Sequence, residues 1–117
     1  MKTFREFQEH IWSRAGINEG DHLYQRLSLC GLGLTGEAGE VADLIKKIIH
    51  HGRPFDDGAQ TKLIEELGDV LWYIAFTAKA VGVSLDDVVA ANNAKLAKRY
   101  PNGFNTADSI ARRDERE

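Results

Sequence analysis

Several features are scarce in this 117-residue chain, and each scarcity argues against a class of protein. The single cysteine, Cys30, excludes an intramolecular disulfide and a cysteine-based zinc site. Because Cys30 lies in an apolar run, we expect it to pack as a small hydrophobic residue. No run approaches the roughly 18 apolar residues of a transmembrane helix. The sequence therefore favours a protein without a membrane-spanning segment.

Positive charge is also in short supply. The chain has 15 lysines and arginines against 18 acidic residues, and its net charge is −3. No overall basic field is present to attract nucleic acid. Residues 1–14 are interrupted by charges and do not resemble a signal peptide. We therefore expect a cytoplasmic protein with no nucleic-acid or membrane partner, although local basic groups can still bind a small charged substrate.

Proline occurs only as Pro54 and Pro101, and both mark predicted helix ends. Capping and stop signals predict four helices. The first helix covers about residues 4–14, and the second runs from residue 21 or 22 to about 51. The third covers about residues 57–81, and the fourth runs from a cap at Ser84 to about residue 100. Between the first two, residues 15–20 form a predicted loop. Apolar residues recur at helical spacing and no period-two pattern occurs, so the fold class is all-α, built on a long antiparallel helix hairpin. Residues 1–104 form the predicted domain, and 105–117 a charged tail that is a frayed helix or disordered.

The second predicted helix contains four glycines, which is unusual for a helix interior. Each costs roughly 0.5–1 kcal/mol relative to alanine. One interpretation is that another helix or a ligand approaches this backbone closely. The alternative is that part of residues 31–36 is kinked or not helical. The glycines concerned are Gly31, Gly33, Gly36 and Gly39.

Two pairs of acidic residues, each spaced i, i+3, carry the functional interpretation. Glu37 and Glu40 share one helix face, as do Glu66 and Asp69. The two pairs lie equally far from Arg53 in the predicted turn, so in an antiparallel hairpin they face each other. Both lie in apolar sequence, which indicates a partly buried position. We expect four carboxylates to converge between the two helices.

Carboxylates brought together in this way repel each other and lose hydration, and a hard divalent cation relieves both costs. Oxygen ligands suit Mg²⁺, with Mn²⁺ as the alternative. The competing interpretation is that each pair is a solvated or salt-bridged face. A di-iron site is disfavoured because no Glu-x-x-His motif occurs. Asp43 could reach the edge of the site, whereas Glu65 points about 100° away from Glu66.

Basic and amide side chains near these acids are candidates to contact phosphate. Lys47 follows the first acid pair, together with Lys46. Asn92, Lys95 and Arg99 form an i, i+3, i+7 stripe on the fourth predicted helix. The alternative is an ordinary solvated basic face. His50, His51 and Arg53 are interpreted as charges that suit the end of the second helix.

Three segments resemble the motifs of MazG-like nucleoside triphosphate pyrophosphohydrolases. The first is GLTGEAGEV (residues 33–41) with Lys46 and Lys47, and the second is ELGDVLWY (residues 66–73). The third runs from Asn92 through Lys95 to Phe104. The resemblance spans residues 23–104 in the correct order and spacing. One departure is that Gly36 precedes Glu37, where many members carry a second glutamate. The Gly-Glu-x-Gly-Glu form found in this chain is similar to that of the dCTP-pyrophosphatase branch.

The resemblance implies an all-α fold and Mg²⁺-dependent cleavage of nucleoside triphosphates to monophosphate and pyrophosphate. The implied biological role is removal of unwanted nucleotides from the nucleotide pool. It implies metal ligation by Glu37, Glu40, Glu66 and Asp69. Substrate contacts are implied near Asn92, Lys95 and Tyr73. Homodimers, or homotetramers built from them, are implied as well.

The corresponding mechanism is attack of water on the α-phosphorus. Glu37 or Glu40 is the candidate base, and the sequence does not decide between them. Lys95 would stabilise charge on the leaving pyrophosphate. Two alternatives remain: a non-catalytic helical oligomerisation module, and a cation-binding regulatory protein.

Overall fold

The structure, a computed structural model, describes residues 3–15 and 22–115, and within these ranges it is helical with no strand. The all-α prediction is confirmed. The helices are α1 (Phe4–Arg14), α2 (Leu23–His50), α3 (Asp57–Ala80), α4 (Leu85–Arg99), α5 (Thr106–Ala111) and a 3-10 turn (Arg113–Glu115).

Side-chain caps fix the helix starts close to where the sequence predicts them. The Glu6 amide donates to Thr3 Oγ1 at 3.1 Å at the start of α1. At α4, the Asp87 amide donates to Ser84 Oγ and the Ser84 amide to Asp87 Oδ2, a complete capping box. At α2, the His22 amide donates to Gln25 Oε1. The other predicted start, Asp21, and loop residues 16–20 lie outside the described ranges.

Glycines end the two long helices as predicted. Gly52 has φ +69° after α2, and Gly82 has φ +81° after α3. Glycine adopts this left-handed conformation without the steric penalty of a Cβ atom. The resulting six-residue connection, 51–56, turns the chain so that α3 packs back along α2. The predicted hairpin is therefore present.

The glycine-rich part of α2 is helical throughout, so the alternative interpretation of a non-helical segment is wrong. Close approach explains one glycine. A Cβ atom built at Gly33 would lie 2.1 Å from Cε1 of Tyr73 on α3. At Gly31, Gly36 and Gly39, a Cβ atom would meet no atom of residues 3–15 or 22–115 within 4 Å, apart from the adjacent turn of α2 itself. Close packing therefore requires glycine at position 33 alone among the four.

The apolar core lies at the end of the hairpin away from its turn. There α1 packs on α3 and α4, and Cys30 is buried as predicted for a small hydrophobic residue. Gln8 is buried too, and its Nε2 donates to the carbonyls of Ala75 and Val83, which fastens α1 to the end of α3. The buried apolar residues are Ile11, Cys30, Ala75, Phe76, Ala78 and Leu85.

The segment after α4, for which the sequence predicts a frayed helix or disorder, contains the short helix α5 and a 3-10 turn. Asn105 caps α5 by accepting from the Asp108 amide at 2.8 Å. Ion pairs then hold α5 and the 3-10 turn to each other and to α4. We call the charged residues that form them the C-terminal clasp: Arg99, Asp108, Arg112, Arg113, Asp114 and Glu115. Matched opposite charges order this segment, which has few apolar residues to bury.

None of the helices in the described ranges combines the length and apolar character needed to cross a membrane.

Candidate metal centre

Three of the four predicted acidic ligands come together between α2 and α3. Glu37, Glu66 and Asp69 each offer a carboxylate oxygen, and these oxygens lie within 4.8 Å of one another. Glu37 and Asp69 are equally distant in sequence from Arg53, as are Gly33 and Tyr73 one turn away. The antiparallel register that places Tyr73 on Gly33 therefore also places the carboxylates opposite each other.

The three carboxylates differ in exposure. Glu66 is buried, Glu37 is partly buried and Asp69 is exposed, so the group opens to solvent on one side. Burial raises the pKa of Glu37, and the charges of Asp69, Glu66 and Glu40 raise it further. A raised carboxyl pKa means that this environment disfavours the negative charge. A cation placed among the three oxygens would favour it.

Glu40 is exposed and lies outside this three-residue group. Its charge is nevertheless near enough to raise the pKa of Glu37. Ligation by Glu40 therefore remains a prediction. Its position beside the group, rather than in it, leaves its carboxylate available for another role.

Lys62, which the sequence reasoning overlooked, contacts the group from one turn earlier on α3. Its Nζ lies 3.0 Å from Glu66 Oε1 and 4.0 Å from Glu65 Oε2. Hydrogen bonding to Glu66 and the charges of Glu66, Glu65 and Asp69 raise the pKa of Lys62. The signal was present in the sequence as an i, i+4 spacing between Lys62 and Glu66.

The donor set fits a hard divalent cation. It consists of carboxylate oxygens alone, the ligands that Mg²⁺ and Mn²⁺ prefer, with neither sulfur nor imidazole among them. Mg²⁺ in proteins is usually held by one or two carboxylates and keeps several waters, and the exposed side of the group provides space for them. Glu37, Glu66 and Asp69 would hold the ion.

Of the predicted phosphate-binding residues, three form ion pairs with acids outside the group of three carboxylates. Lys47 Nζ lies 2.6 Å from Asp43 Oδ2, and Lys46 Nζ lies 3.2 Å from Asp43 Oδ1. These hydrogen bonds lower the pKa of Asp43, Lys47 contributing more than Lys46. Arg99 donates from Nε and Nη2 to the two carboxylate oxygens of Asp114 at 2.6 and 2.7 Å.

The remaining predicted substrate contacts are placed differently. Asn92 and Lys95 are exposed on α4. Tyr73 lies with its ring against Gly33 and edge-on to Trp72, with ring centroids 4.9 Å apart. The sequence reasoning also overlooked Asp114 as the partner of Arg99, because the tail was expected to lack a fixed structure.

Comparison with known proteins bears on what these residues do. The family profile of the MazG nucleotide pyrophosphohydrolase domain matches residues 20–104. Gene 37 protein of Mycobacterium phage L5 is 42% identical in an alignment of 82 positions that covers 66% of this chain and 68% of that protein. Uncharacterized protein YvdC of Bacillus subtilis strain 168 is 41% identical in an alignment of 73 positions that covers 57% of this chain and 69% of that protein. The comparison with solved structures gives no significant match.

The matched range contains all of α2, α3 and α4, and with them the three carboxylates and Lys62. Helix α1 and the C-terminal clasp beyond Arg99 lie outside it. The profile match over most of the chain, together with the helical hairpin that carries the acids, shows that this chain belongs to the MazG nucleotide pyrophosphohydrolase domain family.

Proposed function

We propose that this protein is a nucleoside triphosphate pyrophosphohydrolase that depends on a divalent cation. It would cleave a nucleoside or deoxynucleoside triphosphate to the monophosphate and pyrophosphate, as part of nucleotide-pool cleaning. The observation that carries the proposal is the group formed by Glu37, Glu66 and Asp69 in a chain of this family. Three carboxylates beside a solvent-open face form a site for a cation that accompanies phosphate.

Mg²⁺ is the proposed cofactor, with Mn²⁺ as a substitute, because both bind carboxylate oxygens. A bound divalent cation would neutralise triphosphate charge and make nearby water more acidic. The contribution of the chain is to hold the ion in a fixed place. Glu66 is the buried anchor on α3, and Glu37 reaches across from α2.

Glu40 is the better candidate for the base that orients and deprotonates the attacking water. It lies close enough to affect Glu37 electrostatically, but outside the group of three oxygens. A carboxylate occupied by a cation is a poor proton acceptor, so the one outside the group suits this role. Glu37 is the alternative. Tyr73, Asn92, Lys95, Lys47 and Arg99 remain proposed substrate contacts.

We also propose a homodimer or homotetramer. Large apolar residues on the outside of the hairpin remain exposed in a single chain: Leu32 is 74% exposed, Ile49 67% and Ile64 63%. The radius of gyration is 17.5 Å, against about 13 Å for a compact chain of this size. Association would cover the apolar face. A monodisperse 13.0 kDa species in light scattering at micromolar concentration would contradict this proposal.

The decisive experiment is a panel of canonical and modified nucleoside triphosphates with Mg²⁺, scored for pyrophosphate and monophosphate. We expect pyrophosphate as the primary product and no turnover in excess chelator. Orthophosphate as the primary product would overturn the reaction type, and turnover in chelator would overturn the role of the metal. Cation binding without turnover on any nucleotide would instead favour a regulatory cation-binding protein.

A further inference from the structure

We infer that Lys62 is a resident counter-cation of the metal centre, which competes with the divalent cation for Glu66 and so lowers the affinity of the site. The inference rests on the proposed metal site and assigns it a further residue. Lys62 is distinct from the proposed metal ligands and from the proposed phosphate contacts on α4.

The geometry gives the two members of this pair different freedom. The Lys62 side chain is 57% exposed, whereas the Glu66 side chain is 11% exposed. The carboxylate is thus the fixed partner, and the ammonium reaches it at the end of a long flexible side chain. Lys62 can leave without any rearrangement of α3, whereas Glu66 cannot follow it.

The arrangement of charge explains why the ammonium is drawn to this position. Three carboxylates lie together, and among the described residues Lys62 is the basic side chain that an ion pair joins to them. A lysine that precedes a glutamate by four residues is the less favourable order for such a pair on a helix. The combined field of the acids, rather than helix geometry alone, therefore favours the contact.

Asp43 on α2 provides an internal reference. It accepts from both Lys46 and Lys47, so one acid there has two lysine partners. Lys46 is 54% exposed at its side chain, close to the 57% of Lys62, and it also contacts a carboxylate on its own helix. The two lysines differ in whether the carboxylate they contact belongs to the group of three.

The consequence is a competition at one oxygen. A divalent cation that takes Oε1 of Glu66 must replace the ammonium there, since two cations at contact distance from one oxygen repel strongly. A cation that takes Oε2 would still meet the charge of the ammonium on the other side of the same carboxylate. Removing Lys62 should therefore strengthen cation binding. The displaced ammonium would stay within reach of any phosphate oxygens bound beside the cation.

The first test is a calorimetric titration of the full chain with Mn²⁺ alone. We expect Lys62→Met to bind Mn²⁺ about 3- to 5-fold more tightly than the wild type, the upper range for an ion pair formed by an exposed lysine. Lys62→Arg should remain near the wild type because it keeps the competing charge. Lys46→Met is the matched control and should stay within about twofold of the wild type.

The second test follows the lysines in the unmodified protein. Brief acylation of amines, read by mass spectrometry, reports how accessible each ammonium is. Mg²⁺ should increase the labelling of Lys62, because the ion displaces it from Glu66, and should leave the labelling of Lys46 unchanged. Labelling of Lys62 that does not respond to Mg²⁺ at saturation would contradict the competition.

The outcomes separate this inference from the proposed function. Wild-type protein that releases pyrophosphate with Mg²⁺, while Lys62→Met and Lys46→Met show the same Mn²⁺ affinity as wild type, would overturn the role of Lys62 alone. Equal tightening in both variants would also overturn it, since charge anywhere on the hairpin would then suffice. Wild-type protein that binds no Mn²⁺ would overturn the metal site and this inference together.

Discussion

The candidate metal centre and the C-terminal clasp are both clusters of charge, but they differ in how that charge is matched. In the clasp, Arg99, Arg112 and Arg113 pair with Asp114, Glu115 and Asp108. In the metal centre, three carboxylates meet one lysine. A cluster with equal numbers of each sign can stabilise the fold by itself. One with an excess of a single sign is a candidate site for a ligand of the opposite charge.

The pKa shifts of the acids in the two regions point in opposite directions. The Arg99 hydrogen bonds lower the pKa of Asp114 to about 2, and the Asn105 side chain, followed by Arg113, lowers that of Asp108. Burial and neighbouring acids raise the pKa of Glu37. The clasp thus favours ionised carboxylates, whereas the metal centre disfavours one of its own. This contrast agrees with a structural role for the clasp and a binding role for the candidate metal centre.

The largest effect should come from neutralising the metal centre. We expect Glu37→Gln, Glu66→Gln and Asp69→Asn each to reduce turnover by at least about 100-fold, the lower range for a positioned acid or base. The proposed base Glu40→Gln should do the same. Turnover is measured by pyrophosphate release at saturating Mg²⁺. Glu65→Gln is the matched control and should cost little, because Glu65 is exposed and lies outside the group.

Stability shows whether such losses reflect the site or unfolding. In metal-free buffer at neutral pH, Glu37→Gln should melt at or above the wild-type Tm, because the raised pKa of Glu37 means that its charge opposes folding there. Mg²⁺ at ten times its Kd should stabilise the wild type by about 1.4 kcal/mol through mass action. The variants should gain less. If Glu65→Gln is as damaging as Glu66→Gln, the assignment of the site face is wrong.

A second effect should appear at the packing contact one turn from the acids. Gly33→Ala would place a Cβ 2.1 Å from the Tyr73 ring, so the helices must separate or the ring must move. We expect a loss of about 1–3 kcal/mol in unfolding free energy, as for other overpacked contacts. Chemical denaturation measures it. Combining Gly33→Ala with Tyr73→Leu should recover part of the loss, because the smaller side chain makes room.

Gly31→Ala is the matched control, since, apart from the adjacent turn of α2 itself, none of the described residues lies within 4 Å of a Cβ atom built at that position. Alanine should stabilise this stretch of helix by about 0.5–1 kcal/mol. A destabilisation by Gly31→Ala that grows at higher protein concentration would show instead that a second copy covers this part of α2. The same comparison at Gly36 would extend that result along the helix toward Glu37.

Sequence was sufficient to predict α1 to α4 because their ends depend on local signals. Thr3, Ser84 and the two glycines after the long helices act within a few residues of themselves. The turn centred near Arg53 then set which residues of α2 and α3 meet. That register also predicts that Glu37 on α2 and Asp69 on α3 lie at the same distance from the turn.

Other features depended on side-chain choices that spacing does not determine. Glu40 has the same i, i+3 relation to Glu37 as Asp69 has to Glu66, yet its carboxylate lies outside the group of three. Lys62 had several acids within reach, and the combined field of the cluster decides which one it contacts. The order of the tail depends on Arg99 meeting Asp114 across fifteen residues, a partnership that no periodic pattern indicates.

The smallest effect should come from opening the clasp. Asp114→Asn replaces the carboxylate that receives both Arg99 hydrogen bonds, while preserving the size of the side chain. We expect the amides of α5 to exchange with solvent on the order of tenfold faster at neutral pH, because local opening of the segment becomes easier. Turnover should remain within about twofold of the wild type if the clasp and the metal centre are independent.

Acid should open the clasp in the same way as this substitution. Because the folded-state pKa of Asp114 is about 2, below the ordinary 3.8, its contribution to stability is present above about pH 4 and is lost as the pH falls toward 2. NMR signals of α5 should therefore change over this range in the wild type, and less in Asp114→Asn. Arg99→Gln should also loosen α5. If Arg99→Gln raises KM while Asp114→Asn does not, Arg99 contacts both the substrate and Asp114. Arg99 would then belong to the substrate-binding site and to the clasp.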